Sequence, residues 1–444
     1  MKTPIKNFGI DYAKKKSIRF HMPGHKGRKV LGCEKYDITE IDGADVLYNS
    51  DGIIKESENL SQSLFGSGKT LYSTEGSSLC IRAMIYLVKI YAKALKKDPV
   101  ILAGRNAHKT FSNCTALSDV PVVWMYGQSK DLLSCKITPD DIENYIKKHS
   151  PVAVYITSPD YLGNISDIRE ISRVCKRHGV LLLVDNAHGA YLKFLDNSLH
   201  PIDLGADLCC DSAHKTLPVL TGGAYLHLGK NAPEILKSHA ENAMSLYAST
   251  SPSYLIMQSL DMANDYIDRR IKSDISKIAY KAEKLKANLK SKGFSLIGDE
   301  PLKITIVAKK YGYTGYELYD ILKEKNIVAE FCDKDFLVLM LSSFTTKRDI
   351  KKLEKALISL NRKEEIKEAP PRVYPGEQVM RPFDAVTSPF EETDADSAEG
   401  KILARSSVTC PPAVSVISCG EIIRKCDIEC FKYYGIKRVY TVKK

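Results

Sequence analysis

Between about residues 70 and 265, short apolar β-rich runs alternate with amphipathic helical stretches, and this alternation constrains the fold more than any other feature of the chain. Strands are expected over 100–103, 152–157, 180–185 and 207–210, and helices over 78–97, 140–148 and 165–178. The pattern predicts a parallel sheet covered by helices on both faces. Such sheets bind ligands outside the carboxyl ends of their strands, and the polar residues of interest fall there.

A long helical pattern over 253–292 is expected to link this part to a small α/β domain. That domain would hold strands over 303–308 and 335–341 and helices over 315–325 and 346–361. Pro370, Pro371, Pro375, Pro382 and the acids of 368–400 read as a covering or linking segment. The expected organisation is an N-terminal segment 1–70, a large domain 71–265, a small domain 266–365, a linker 366–400 and a C-terminal module 401–444. No internal repeat is visible.

Composition removes several function classes. With 44% hydrophobic and 27% charged residues over 444 positions, the chain can build a sizeable core. No run approaches the roughly 20 apolar residues of a membrane span, and the opening Met1-Lys2-Thr3-Pro4 has no secretory h-region. The net charge of +11 comes from lysines interleaved with acids on helical stretches, which reads as solvated surface rather than a nucleic-acid face. Twelve cysteines without disulfide or zinc spacing point to free thiols in a reducing cytoplasm.

Four constellations carry chemistry. Asp211-Ser212-Ala213-His214-Lys215-Thr216 follows an apolar strand. A Schiff base to a carbonyl cofactor needs a lysine amine that is partly deprotonated, which desolvation favours, and this lysine follows a buried-looking run. Ser212, His214 and Thr216 beside it can bind a phosphate. A surface lysine on a polar loop is the simpler reading of this stretch alone. Asp185-Asn186-Ala187-His188-Gly189 ends the run 180–184. An acid there can hydrogen-bond a pyridine nitrogen and keep it protonated, or merely cap a helix; small Ala187 would let a ring lie flat. Ser73-Thr74-Glu75-Gly76-Ser77-Ser78 opens a helix, where N–H groups and hydroxyls suit a phosphate; a plain serine cap fits as well. In Arg105-Asn106-Ala107-His108-Lys109, His108 could stack on a cofactor ring or be structural.

Two decoys are set aside. Gly66-Ser67-Gly68-Lys69-Thr70 lacks the earlier glycine of a nucleotide-binding loop, since position 63 is Ser63. His21 and His25 flank Pro23 and Gly24, which break a helix, so no metal site is expected.

Together these residues resemble the Orn/Lys/Arg decarboxylase family. The opening His21-Met22-Pro23-Gly24-His25-Lys26-Gly27, then Asp37-Ile38-Thr39-Glu40 with Gly43, Asp45 and Leu47, looks like the family's start. The phosphate turn, Asp185-x-Ala187-His188-Gly189 and Ser212-x-His214-Lys215-Thr216 follow in the family's order, then Thr250-Ser251-Pro252-Ser253-Tyr254. Pro411-Pro412 and Gly420-Glu421 resemble its C-terminal domain. The resemblance covers nearly the whole chain and implies an α/β pyridoxal-phosphate (PLP) enzyme of fold type I. Its large domain would carry a mixed, mostly parallel seven-stranded sheet flanked by helices, with a small α/β domain and a C-terminal module. The length suggests the compact form without the N-terminal wing domain.

The implied activity is PLP-dependent decarboxylation of arginine, lysine or ornithine to a polyamine or diamine, by a cytoplasmic homodimer with shared active sites. The resemblance implies Lys215, Asp185 and His108 as catalytic residues. It implies Ser77, Ser78, His108, Asp185, Ala187, His188, Ser212, His214, Lys215 and Thr250 at the cofactor, Thr250 approaching that of the partner subunit. Glu330 and Glu421 are candidates for the substrate's distal cation, with a structural salt bridge the alternative for each. Cys410 and Ala413 replace the family's Tyr and Gly around the Pro pair, and Cys419 replaces its Pro before Gly-Glu, which leaves substrate identity open. The competing expectations are another fold type I reaction, transamination or aldol cleavage, and a non-catalytic regulator. An aminotransferase would show an arginine clamp, and Arg348 sits in a charge-rich helix instead.

Overall fold

The computed structural model describes residues 1–127, 132–406 and 414–443. Fourteen strands form three sheets among them. The largest has seven: β1 (Lys69–Ser73), β2 (Ile101–Gly104), β3 (Val122–Met125), β4 (Ala153–Thr157), β5 (Leu181–Asp185), β6 (Leu208–Asp211) and β7 (Ala224–Leu228), in the order β1-β7-β6-β5-β4-β2-β3. Only β7 breaks the parallel rule in the pairings seen, running antiparallel to β1 and β6. The four expected strands are all present, each within a residue or so of its expected bounds. Their near-continuous burial is what a sheet covered on both faces demands.

The chain divides into two compact units. The first comprises Met1–Asp98 and Ile168–Ile275. Helix Gly76–Ala94 begins two residues before the expected start and stops three short of the expected end. It buries Leu79, Ala83, Met84, Leu87 and Val88, the i, i+4, i+8 stripe of a core helix. Helix Ile53–Phe65 packs on β1, and helix Pro4–Lys15 on helix Tyr254–Arg269. Residues 1–70, expected as a separate segment, therefore lie within this unit. Ser57, Ser61 and Asn264 converge on the buried Tyr72 hydroxyl at 2.7, 2.9 and 2.9 Å and tie three elements together.

The second unit comprises Pro99–Asp167 and Ser276–Lys444. It holds β2–β4 and a four-stranded sheet of β8 (Leu296–Ile297), β9 (Lys303–Val307), β10 (Phe331–Cys332) and β11 (Phe336–Met340), in the order β10-β11-β9-β8. A third sheet joins β12 (Phe390–Asp394), β13 (Leu403–Arg405) and β14 (Arg438–Val442) in the order β12-β14-β13.

Two expectations are corrected. The helix over 253–292 is two, Tyr254–Arg269 and Ile271–Ser291, because the backbone leaves helical geometry at Arg270 (φ −136) with no Pro or Gly to signal it. The expected linker 366–400 carries helix Pro382–Thr387 and β12. β12 is an edge strand held by its ladder to β14, so its acids sit in solvent, where Glu391 meets Lys401 and Glu392 meets Arg438.

Candidate active site

In the first unit, β5 and β6 run parallel with Asp185 opposite Cys210. Both strands therefore end at one edge, and the chain turns there twice. After β5 it passes Asn186, Ala187 and His188 and closes with Gly189 N–H donating to Asn186 O at 2.8 Å. After β6 it passes Ser212 into the short helix Ala213–Thr216, which carries Lys215. The two turns meet: Lys215 Nζ stands 2.8 Å from His188 Nε2. Asp185 is buried and accepts from Ala187 N–H at 3.1 Å and from the Cys210 thiol at 3.6 Å.

The third element is the turn before helix Gly76–Ala94. Ser212 Oγ donates to Ser77 Oγ at 2.8 Å, so the lysine turn and this turn share a hydroxyl pair. Gly76 has φ +70, and a Cβ there would find open space. First-turn N–H groups of a helix have no intrahelical partner and carry the positive end of its dipole. Glu75 Oε1 accepts Ser249 N–H at 2.7 Å and holds the exposed segment bearing Thr250 near this turn. His214 is turned partly elsewhere: its Nδ1 meets Gly223 O at 3.0 Å.

These residues fit pyridoxal phosphate. Lys215 offers an amine to its aldehyde. The Ser77 hydroxyl, to which Ser212 donates, and the first-turn N–H groups after Gly76, whose own N–H goes to Gly222 O at 2.7 Å, offer donors to its phosphate. Asp185 offers a buried carboxylate to its ring nitrogen, and the Thr216 hydroxyl is buried with no partner among the described residues.

The second unit holds the other expected residues. His108 caps helix Lys109–Leu117, its Nδ1 accepting Thr110 N–H at 3.2 Å, which leaves the ring proton on Nε2. Glu421 is buried, and its Oε2 accepts Ser418 N–H at 2.7 Å. Burial raises its carboxyl above the ordinary range, opposed by the Arg105 charge. Arg105 is buried too, donates to Val416 O at 2.7 Å and lies over Trp124. Glu330 is exposed and no carboxylate contact of it is seen among the described residues. Cys419 is buried beside Ser406, while Cys410 and Ala413 lie outside the described residues. Of the decoys, Gly66 and Lys69 end a helix and begin β1, and His25 pairs with Asp37 at 3.1 Å.

Sequence reasoning passed over a buried quartet behind the Lys215 turn: Asn186, His200, Asp211 and His227. The signal was present, since Asp211, like Asp185, is an acid ending an apolar strand.

A profile for the Orn/Lys/Arg decarboxylase major domain matches residues 3–301. The chain belongs to the Orn/Lys/Arg decarboxylase family. It is 30% identical over 466 residues to the uncharacterized protein YaaO of Bacillus subtilis (strain 168), covering 97% of this chain and 93% of that one. It is 26% identical to an arginine decarboxylase of Bacillus anthracis, over 96% and 92% of the two chains. Its fold is similar to that of the Francisella novicida lysine decarboxylase LdcF, with TM-score 0.81, 18% identity, and 99% of this chain and 81% of that chain covered. The expected fold type I architecture is the one observed.

Proposed function

We propose that this chain is a PLP-dependent carboxy-lyase that decarboxylates arginine, lysine or ornithine. The observation that carries the reading is Lys215 Nζ at 2.8 Å from His188 Nε2, with buried Asp185 ending the adjacent parallel strand. Family membership supports it. When bound, the cofactor supplies an electron sink for the pair left on the α-carbon as CO2 departs. Lys215 Nζ anchors the cofactor. Asp185 would accept from its ring nitrogen and so favour the protonated form of that nitrogen. Ser77, Ser78 and Ser212 hold the phosphate, with His214 bracing the turn. Ala187 leaves room for the ring, and His108 is proposed to stack on it. Lys215 Nζ or His188 Nε2 holds the proton that returns to the α-carbon.

For the distal cation we favour Glu421 over Glu330. Glu421 is buried, where a carboxylate gains more from a cation than it does in water, while Glu330 is solvated. Transamination is disfavoured because Arg348 is exposed on helix Lys347–Ile358.

The same reading includes a homodimer. Ile18, Phe20, Val30 and Leu31 flank the family-like His21–Gly27 stretch and are 85%, 93%, 75% and 89% exposed, more apolar surface than a solvated segment tolerates. Thr250 is exposed, as a residue offered to a partner would be. A cytoplasmic location fits the free state of all described cysteines, and polyamine synthesis follows from the proposed substrates alone. Among the described residues, no helix is long and apolar enough to cross a membrane.

The test is CO2 release by the cofactor-loaded chain from L-arginine, L-lysine and L-ornithine, each beside Lys215→Ala. Release from one substrate that the variant loses supports the proposal and names the substrate. A cofactor absorbance band with no release from any of the three overturns it.

A further inference from the structure

The quartet behind Lys215 is organised around one charge. Asp211, His200 and His227 have no exposed side-chain surface, and Asn186 is fully buried with them. Asn186 Nδ2 donates to Asp211 Oδ1 at 2.7 Å, and His200 Nε2 meets Oδ2 at 2.9 Å. His227 Nε2 lies 3.3 Å from that same oxygen, less well aligned, and Cys209 Sγ is 3.5 Å from the other. Donors on several sides offset the burial of a carboxylate and hold Asp211 ionised, well below the ordinary range.

These groups could be mistaken for a metal site, since His200, Cys209 and Asp211 converge. The His200 tautomer argues otherwise. Its Nδ1 accepts Ile202 N–H, which puts the ring proton on Nε2, facing Asp211. A proton, not a metal, fills that gap.

Asp211 touches both arms of the site. It directly precedes Ser212, whose carbonyl accepts Lys215 N–H at 3.0 Å. Through Asn186 it also grips the 186–189 turn that bears His188. Asn186 Oδ1 stays buried without a partner among the described residues while its NH2 group bonds Asp211, so the amide is oriented for the carboxylate. Gly189 closes this clamp: a Cβ there would overlap Asn186 Oδ1.

We propose that Asp211 is a positioning residue that, through Asn186, fixes the His188 turn against the Lys215 turn and so sets the Lys215–His188 contact. The proposal rests on the reading of Lys215 as the reactive amine. It is tested on the full chain without cofactor, by the pH dependence of Lys215 modification with trinitrobenzenesulfonate, mapped by mass spectrometry, so that failure of the decarboxylase reading leaves the measurement intact. An imidazole accepting from the ammonium favours the charged form, so releasing His188 lowers the Lys215 midpoint. Asn186→Ala and Asp211→Asn are expected to lower it by about one pH unit. Gly189→Ala displaces the amide without removing any network group and is expected to do the same, which covers the case that Asp211→Asn does not fold. Thr70→Val, which strips only the outer hydroxyl from His227 Nδ1, is expected to lower the melting temperature and leave the midpoint in place. A Gly189→Ala or Asn186→Ala protein that melts earlier but keeps the wild-type midpoint overturns the proposal and makes the quartet purely structural.

Discussion

Asp185 and Glu421 are both buried carboxylates, yet they are held by different means. Asp185 ends β5, and two of its partners, Ala187 and Cys210, come from the next turn and the neighbouring strand. Glu421 sits in a turn closed by Ser418 and pinned by isolated bridges, Gln378 to Glu421 and Ile402 to Ile422. Gly420 takes φ +82 there, and Gly376 leaves no space for a Cβ against the Glu421 carboxylate. The first arrangement needs only a parallel sheet and two short turns. The second needs segments some 20 to 45 residues apart to meet correctly. Chemistry common to a family can rest on the former, and selectivity among substrates can drift in the latter.

The largest effect expected on the first region is from Lys215→Ala, which should abolish the cofactor's absorbance band and reduce CO2 release to the background of the cofactor in solution. Asp185→Asn keeps the shape and removes the charge. Loss of one preorganised electrostatic partner should lower kcat by roughly 10²–10³-fold, with the band retained at a shifted position. A variant with unchanged kcat would detach Asp185 from the chemistry and erase the contrast with Glu421.

Stability against pH sharpens the comparison next. Burial pushes Glu58, which accepts Tyr72 N–H at 2.9 Å, up to about 8. Its folded value lies above its unfolded one, so folding retains a proton that the unfolded chain has released. The Glu58 contribution to stability is therefore full below about pH 4.5 and falls as pH rises toward 8. Asp261, pushed up to about 6 by burial, adds the same sign at the lower end of this window. Glu58→Gln should flatten the decline by an amount on the order of a few kcal/mol, measured by urea unfolding at pH 5 and pH 8. An unchanged slope would mean that Glu58 is solvated as Glu330 is.

For substrate binding, Glu421→Gln should raise KM for the preferred amino acid roughly 10–100-fold with kcat little changed, the size of one charged hydrogen bond. Glu330→Gln should stay within about twofold, as expected for an exposed carboxylate. The reverse ranking, read from initial rates, would move the distal-cation site to Glu330.

How much of this was legible follows from the same contrast. Strands over 180–185 and 207–210 announce themselves by apolar runs, and polar residues just after them must lie at the sheet's ligand edge, so Asp185 and Lys215 could be read directly. The split of residues 71–265 between two units could not, because crossover connections scatter neighbouring strands along the chain. β12 was hidden because its acids suit a solvated loop as well as an edge strand. The break at Arg270 carries no helix-breaking residue. Asp211 obeys the strand-end rule and was passed over because its partners, His200 and His227, come from a cap and from another strand.

The smallest expected effect lies within the hydroxyl pair, where the two turns of the first region meet. Ser212 Oγ donates to Ser77 Oγ, leaving the Ser77 proton to point at an anion. A hydrogen bond to a charged group is worth about 1.5–3 kcal/mol and a neutral one about 0.5–1.5 kcal/mol, so Ser77→Ala should weaken cofactor binding roughly 10–100-fold and Ser212→Ala roughly 2–10-fold by absorbance titration. If the hydroxyls act in series on one phosphate, the double variant should lose less than the product of the two, because removing either already breaks the chain. Strict additivity would mean separate targets and would place only one of them on the phosphate. Glu421→Gln should leave this titration unchanged, and a shared loss would show that the cofactor and substrate ends are not independent.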